Sequence, residues 1–446
     1  KQQKKNKANN PRPRPDGRGT DGRNRRRRGR NDGRFLTVAV RMGRHAFNVV
    51  PYPRCARLGH LAPRRGQPLP PRRESRCSAG GGLCRAEKQL DGGSAGVFRY
   101  RHVHIEGFGY VLPEDVVSSV ELERELAPIY KRFGLHEGRL ELMSGIRQRR
   151  FWEENSLPSD GSSKAGRRAM EQAGVLPEQI ECLLHTSVSR DCLEPATASV
   201  VHHQLALPRA SVLYDISNAC LGFLNGITSL ANMIELGQVR RGLIVAGESS
   251  RQLVRTTIDQ LLKAGSRLTR NDFKRAFASL TIGSGAAAVV LAHASASETD
   301  HRLLGGVVRS ATEHNHLCRG SADTGFDDGA AMSMNTDSEM LLEGGCELAR
   351  ETWKEFTGAL EWSGRSIDRV YTHQVGSAHR DRLYEILDRD AARDFSTFEF
   401  LGNVGSVSLP LTMAMGLERD PPQPGEKIAM LGIGSGLSCV MLGVQW

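Results

Sequence analysis

Three side chains in this 446-residue chain have the types that covalent catalysis uses: Cys220, His373 and Asn403. A thiol can be the nucleophile, an imidazole can handle a proton, and a carboxamide can donate to a developing oxyanion. Cys220 sits in Ser217-Asn218-Ala219-Cys220-Leu221-Gly222-Phe223, His373 in Val370-Tyr371-Thr372-His373-Gln374-Val375, and Asn403 in Leu401-Gly402-Asn403-Val404-Gly405-Ser406. Each also has a plainer role open to it. A single Cys is usually a small buried hydrophobe. His373 could be a core histidine at a strand end, and Asn403 could cap a helix over Ser406–Met415.

The elements around Cys220 strengthen the chemical role. Val212-Leu213-Tyr214-Asp215-Ile216 predicts a buried strand. Leu224, Ile227, Leu230, Ala231 and Ile234 have helical spacing, with Gly237 as the stop. The thiol therefore falls where a strand turns into a helix N-terminus, whose N–H groups and dipole favour the thiolate.

Charge is distributed unevenly. Residues 1–98 carry 25 Lys and Arg against 6 Asp and Glu, whereas the other 348 residues carry 36 against 44. The leading segment, with Arg25-Arg26-Arg27-Arg28 at its extreme, has few apolar residues. It is expected to be disordered, because it cannot bury enough surface to offset its ordering entropy. An arginine-rich arm could bind nucleic acid, but nucleic acid is not the expected partner of an acidic body with a catalytic set. The segment is read as outside the enzyme proper. No apolar run is long enough to span a bilayer, and no apolar stretch follows the charged start as a signal peptide would require. Nine scattered cysteines without paired spacing suggest reduced thiols in a cytoplasmic protein, with no metal site.

Periodic structure is expected from about Tyr100. His102–Phe108 predicts a strand, and Ser119–Arg132 and Ser163–Ala173 predict helices stopped by Gly134 and Gly174. An internal echo follows: Ile180–Val188 aligns with Ile367–Val375, and Leu243–Ser249 with Ala429–Ser435. Two related α/β halves, residues 99–300 and 301–446, would explain it. The first half supplies the nucleophile and the second supplies His373 and Asn403, which puts the chemistry at the seam.

These stretches resemble the thiolase superfamily, and within it the ketoacyl synthase III-like branch. The stretches His185–Ser199, Arg309–Asn315 and Leu317-Cys318-Arg319-Gly320 are similar to the OleA-type condensing enzymes of long-chain olefin biosynthesis. The likeness covers residues 100–446. It implies a five-layered αβαβα fold of two duplicated halves and a homodimer formed through the sheet of the first half. It also implies non-decarboxylative Claisen condensation of two long-chain acyl-CoAs to a 2-alkyl-3-oxoacyl product through acyl-Cys220. Coenzyme A thioesters enter as substrates, and no tightly bound cofactor is expected. Enzymes of an olefin pathway would follow. The alternative is a decarboxylative 3-oxoacyl-[acyl-carrier-protein] synthase III.

By the same resemblance, the backbone N–H groups of Cys220 and Ser435 form the oxyanion hole, and His373 and Asn403 hold the enolate oxygen. Glu194, ahead of Pro195 in a loop, is the base that removes the α-proton, reaching across the dimer interface into the other chain's site. Without the family motif it would be a solvated loop carboxylate. Cys192 is given no role, and His379 is expected at the surface of a helix. Three departures stand out. Cys439 follows the C-terminal glycines, so a thiolase-type second cysteine is absent from its usual place. Glu141–Ser144 carry no Trp-Arg pair before Gly145-Ile146-Arg147. His314 stands where the OleA type has Trp.

Overall fold

Apolar runs of strand length and amphipathic stretches of helical period build two five-stranded sheets that meet at one residue pair. The computed structural model describes residues 95–320 and 333–446. The expected disorder of residues 1–98 therefore lies, up to residue 94, outside the described residues.

The first half runs through β1 (Val97–Arg99), β2 (Val103–Val111), β3 (Asp115–Ser118), α1 (Ser119–Glu125), α2 (Ala127–Phe133), α3 (Arg139–Ser144), β4 (Gln148–Phe151) and α4 (Pro158–Gln172). It continues through β5 (Cys182–His185), α5 (Thr197–Gln204), β6 (Val212–Asp215), α6 (Gly222–Glu235), β7 (Arg241–Glu248), α7 (Arg251–Ala264), α8 (Arg270–Ala276) and β8 (Gly285–His293). The second half supplies β9 (Arg302–Ser310), β10 (Cys318–Gly320), β11 (Met334–Thr336), α9 (Ser338–Ala359), β12 (Arg369–Thr372), α10 (Ser377–Ile386), α11 (Phe398–Leu401), α12 (Ser408–Arg419), β13 (Lys427–Gly434) and β14 (Ser438–Gln445).

One sheet has the order β6-β5-β7-β8-β2 and the other β12-β13-β14-β9, with β1 also on β9. The internal echo is visible in the pairing. β5 is parallel to β7, β7 antiparallel to β8, and β8 antiparallel to β2. In the same way β12 is parallel to β13, β13 antiparallel to β14, and β14 antiparallel to β9. The segments that align in sequence thus hold equivalent places in the two sheets.

Helices fill three layers. α4 and α5 cover the outer face of the first sheet, and α9 covers the second with α10 packed on it. α6 and α12 lie between, touching strands of both sheets around the largest core cluster. The result is the five-layered αβαβα arrangement. Small residues allow the close approach: a Cβ on Gly109 of β2 would lie 2.3 Å from the Ala165 carbonyl oxygen of α4. On α6, Phe223, Leu224, Ile227, Leu230 and Ile234 are all buried. Each large side chain contributes about 1.5–3 kcal/mol of burial. Leu230 rests on Gly242 of β7, where a Cβ would come within 2.5 Å of its methyl.

Two local expectations need correction. The helix expected over Ser119–Arg132 is two helices broken at Leu126, because Pro128 enters at the second position of α2 and cannot continue α1. The strand expected to be buried over Val212–Ile216 is the edge strand β6, with Val212 43% and Tyr214 38% exposed. An apolar run reads the same whether its neighbours come from its own chain or from elsewhere. The second expected helix, α4, begins at Pro158, which suits a first helical position, and ends before Gly174 at φ +64°.

Candidate active site

Cys220 lies two residues before α6, on a turn in which Ala219 takes a φ of +46°. That conformation is costly for a residue with a Cβ, and it directs the half-buried thiol into a cavity of about 580 Å³ at the seam between the halves. Val188, Ser189, Cys220 and Glu248 come from the first half, and His373, His379, Asn403 and Ser435 from the second. The volume is ordinary for a small-molecule site. Leu253, Ile282, Leu341, Leu342, Leu383 and Leu437 make much of the wall apolar. The structure thus brings together Cys220, His373, Asn403 and Ser435 around one cavity.

The close approach of Ser435 has a steric cause. Gly432 and Gly434 of β13 face the Cys220 turn, and a Cβ on Gly434 would lie 2.9 Å from Leu221 Cγ. Only bare backbone can run so near, and the next residue is Ser435.

Asn403 is pinned by its oxygen. Oδ1 accepts from Gly405 N at 3.0 Å and from Ser408 Oγ at 3.4 Å. The capping role expected of it is not met: the 3₁₀ turn Gly405–Val407 and α12 follow Val404 and Val407 without a side-chain cap bond, and Asn403 instead closes a local turn onto Gly405 N. With Oδ1 occupied, the amide presents Nδ2 as its remaining donor, so turn closure and donor coexist in one side chain.

Electrostatics in the cavity favour neutral groups. Burial pushes the Cys220 thiol up to about 12, and Glu248 and Cys318 push in the same direction. The helix-terminus effect anticipated for Cys220 is therefore outweighed by desolvation. Burial lowers His373 to about 3, assisted by His379, and lowers His379 to about 4. Both imidazoles are neutral near pH 7. His373 Nδ1 is buried and has no partner among the described residues. His379 was expected at the surface, but it lines the cavity from α10. The face of α10 that carries it is turned inward by α9 and α3, contacts that the local sequence does not encode.

Glu194 does not line the cavity of its own chain. It is exposed on the loop between β5 and α5, next to Leu193 at 42% exposure. The same loop begins at the cavity rim with Val188, 52% exposed, and Ser189. It is firmly tied: Asp191 Oδ1 accepts from Ser159 N at 3.0 Å, and Asp215 accepts from Thr197 N and Ala198 N at 2.9 and 2.8 Å. Cys192 is exposed and does not line the cavity. The six described cysteines are all free.

One carboxylate at the site escaped sequence reasoning. Glu248 ends the apolar run of β7 and is buried at the cavity wall. Its only signal in the sequence was a lone acid at the end of a strand otherwise apolar enough to be core.

Comparison with known proteins agrees with this geometry. The family models for 3-oxoacyl-[acyl-carrier-protein (ACP)] synthase III and for its C-terminal part match residues 214–311 and 359–446. An acyl-CoA:acyl-CoA alkyltransferase of Shewanella oneidensis is 40% identical over 352 residues, covering 78% of this chain and 100% of the relative. The protein of the same name from Xanthomonas campestris is 35% identical, covering 78% and 99%. A β-ketoacyl-[acyl-carrier-protein] synthase III of Halalkalibacterium halodurans is 25% identical over 349 residues, covering 77% and 98%. Among solved structures, Xanthomonas campestris OleA with bound cerulenin superposes with a TM-score of 0.73 at 35% identity, covering 78% of this chain and 98% of the other. A Cys-to-Ser variant of that OleA with lauric acid and lauroyl-CoA bound superposes equally well, covering 78% and 100%. The chain therefore belongs to the OleA-type acyl-CoA:acyl-CoA alkyltransferases, within the 3-oxoacyl-[acyl-carrier-protein] synthase III family.

Proposed function

We propose that the protein joins two long-chain acyl-CoAs by non-decarboxylative Claisen condensation. The observation that carries this reading is the gathering of Cys220, His373, Asn403 and Ser435 around one largely apolar cavity. In the first step Cys220 Sγ bonds to the thioester carbonyl carbon of one acyl-CoA. The bond from that carbon to the coenzyme A sulfur breaks, and coenzyme A leaves carrying the thiol proton. The backbone N–H groups of Cys220 and Ser435 stabilise the oxyanion, each worth about 3–4 kcal/mol to the transition state.

The second acyl-CoA then loses an α-proton to a base. Its enolate oxygen is held by a neutral His373 N–H and by Asn403 Nδ2. The enolate carbon attacks the acyl carbonyl, the bond from the carbonyl carbon to Cys220 Sγ breaks, the base's proton returns to the sulfur, and a 2-alkyl-3-oxoacyl chain is released as the thioester or, after hydrolysis, as the acid. Glu194 is our candidate base. It stands outside its own cavity on an anchored, exposed loop. The edge strand β6 beside that loop presents Val212 and Tyr214 to solvent. Both features suit a homodimer in which a second copy covers β6 and each Glu194 enters the neighbouring site. A cytoplasmic enzyme handing its product to later steps of olefin formation fits this reading. No helix among the described residues is long and apolar enough to cross a membrane.

The test is incubation with a long-chain acyl-CoA alone, followed by mass spectrometry of intact protein and lipid products. The wild type should give a β-keto acid or ketone. Glu194→Gln should accumulate acyl-Cys220 without condensed product. Tyr214→Glu should behave like Glu194→Gln while running as a monomer. Product that forms only with a malonyl donor would establish the decarboxylative alternative.

A further inference from the structure

The loop that carries Glu194 is held at each end by a carboxylate from another element. Glu248 of β7 holds the first end: Oε1 accepts from Val188 N at 2.9 Å and Oε2 from Ser189 N at 3.0 Å, and Oε1 also accepts from Ser406 N at 3.2 Å. Asp215, the last residue of β6, holds the second end. Its Oδ2 accepts from Thr197 N at 2.9 Å and its Oδ1 from Ala198 N at 2.8 Å. Thr197 Oγ1 in turn accepts from Asp191 N at 3.2 Å. Asp191 and Thr197 are therefore the feet of a short projection, and Glu194 stands midway between them on the exposed residues 192–195.

Asp215 reaches two places at once. The start of α5 has no cap of its own, because Ala196 makes no side-chain bond there, and the first two helical N–H groups rely on Asp215. Each carboxylate oxygen takes one donor, so the pair of bonds fixes orientation as well as distance. A hydrogen bond to a carboxylate is also roughly twice as strong as a neutral one, and a negative charge suits the positive end of a helix. On its other side Asp215 leads through Ile216, whose N donates to His185 O at 2.8 Å, into the turn that presents Cys220. Glu248 lines the cavity, and Asp215 does not. A change at Asp215 therefore shifts the foot of the projection without removing a wall of the site.

We propose that Asp215 is a positioning residue for the base that removes the α-proton: it fixes the foot of the Glu194 projection relative to the strand that leads to Cys220. The inference rests on the reading of Glu194 as that base. Asp215 lies outside the cavity, so it acts on condensation and leaves the acylation of Cys220 in place. Proton transfer is the step that feels such a tether, since a displacement of about 1 Å in a catalytic group can cost on the order of 100-fold. A cap alone would do less: it would stabilise α5 without fixing where Glu194 stands.

The test is a single-turnover reaction with a long-chain acyl-CoA alone. It reads coenzyme A release, acyl-Cys220 by intact-protein mass spectrometry, condensed product and, separately, the melting temperature. Asp215→Asn keeps the size of the side chain but loses the charge and one acceptor. It should acylate Cys220 within about twofold of the wild type, accumulate the acyl-enzyme, and condense at least about tenfold more slowly. Adding Ala196→Ser gives α5 a cap within its own chain. That double variant should recover melting temperature but not condensation. Equal losses in acylation and condensation, no loss in either, or condensation recovered together with melting temperature would overturn the proposal. If Asp215→Asn alone does not fold, the double variant decides. Glu194→Gln run in parallel separates the two readings. Wild-type condensation in Glu194→Gln removes the base itself, whereas a blocked Glu194→Gln beside an unimpaired Asp215→Asn removes only the positioning role.

Discussion

At the residue scale, Asn403 shows how one side chain can serve architecture and chemistry together. Its oxygen holds the turn before α12, and its Nδ2 is the donor left over. The two roles separate by mutation. Asn403→Asp keeps an acceptor for Gly405 N but loses the donor. Its condensation rate should fall by about 10²–10³-fold while the melting temperature changes little. Asn403→Ala should lose both rate and about 1 kcal/mol of stability, the usual net value of an intramolecular hydrogen bond. A fast Asn403→Asp enzyme in steady-state assays would reduce Asn403 to a turn-holding residue. Cys220, His373 and Asn403 were legible in the sequence because their residue types are chemically distinctive and stand at element ends. It did not reveal Glu248, whose partners lie 60 and 158 positions away along the chain.

At the element scale, α9 deserves comparison with an ordinary helix of its length. Gly344 and Gly345 sit in its middle, each about 0.8–1.0 kcal/mol worse than Ala for helix formation. Gly345 lines the cavity, and a Cβ there would make only a 3.4 Å contact with Ile433 Cγ2. The missing side chain therefore leaves room beside Leu341, Leu342 and Cys346. Gly345→Ala should raise stability by up to about 1 kcal/mol in chemical denaturation. Gly345→Leu should fill the space and shift preference toward shorter acyl-CoAs, lowering kcat/KM for long chains at least about tenfold relative to short ones. Equal chain-length profiles would show that acyl chains do not run along this part of α9. Helix existence was legible from the 3.6-residue pattern, as in α6, but breaks and inward faces were less so. Pro128 splits one expected helix, and His379 faces the cavity because α9 and α3 pack around α10.

At the scale of the whole molecule, two duplicated halves enclose imidazoles that cannot ionise without disrupting their surroundings. His185 of β5 is fully buried, with Nδ1 3.7 Å from Asp215 and Nε2 3.2 Å from Ser187 Oγ. Burial lowers it to about 4, against the opposing pull of Asp215. An unfolded chain takes up that proton near pH 6.5, whereas the folded chain does so only near pH 4. Stability is therefore full above the unfolded value and is lost as pH falls between the two, by about 3 kcal/mol from this residue alone. His373 and His379 act in the same direction. The melting temperature should fall steeply from pH 7 to pH 5 in scanning calorimetry, and His185→Gln should flatten that slope. A flat wild-type profile would mean that these rings are solvated.

The amino-acid sequence by itself determined the repeated strand–helix pattern, the nucleophile turn and the family, because apolar periodicity and residue type are local properties. Tertiary structure decided what shares the cavity, since an inward or outward face depends on which remote element packs against it. It joined Cys220 to residues of the second half, turned His379 inward, left Val212 and Tyr214 on an open sheet edge, and set Glu248 among three backbone donors. It also reversed the expected balance at Cys220, because desolvation is produced by the whole surrounding protein and outweighs the pull of one helix end.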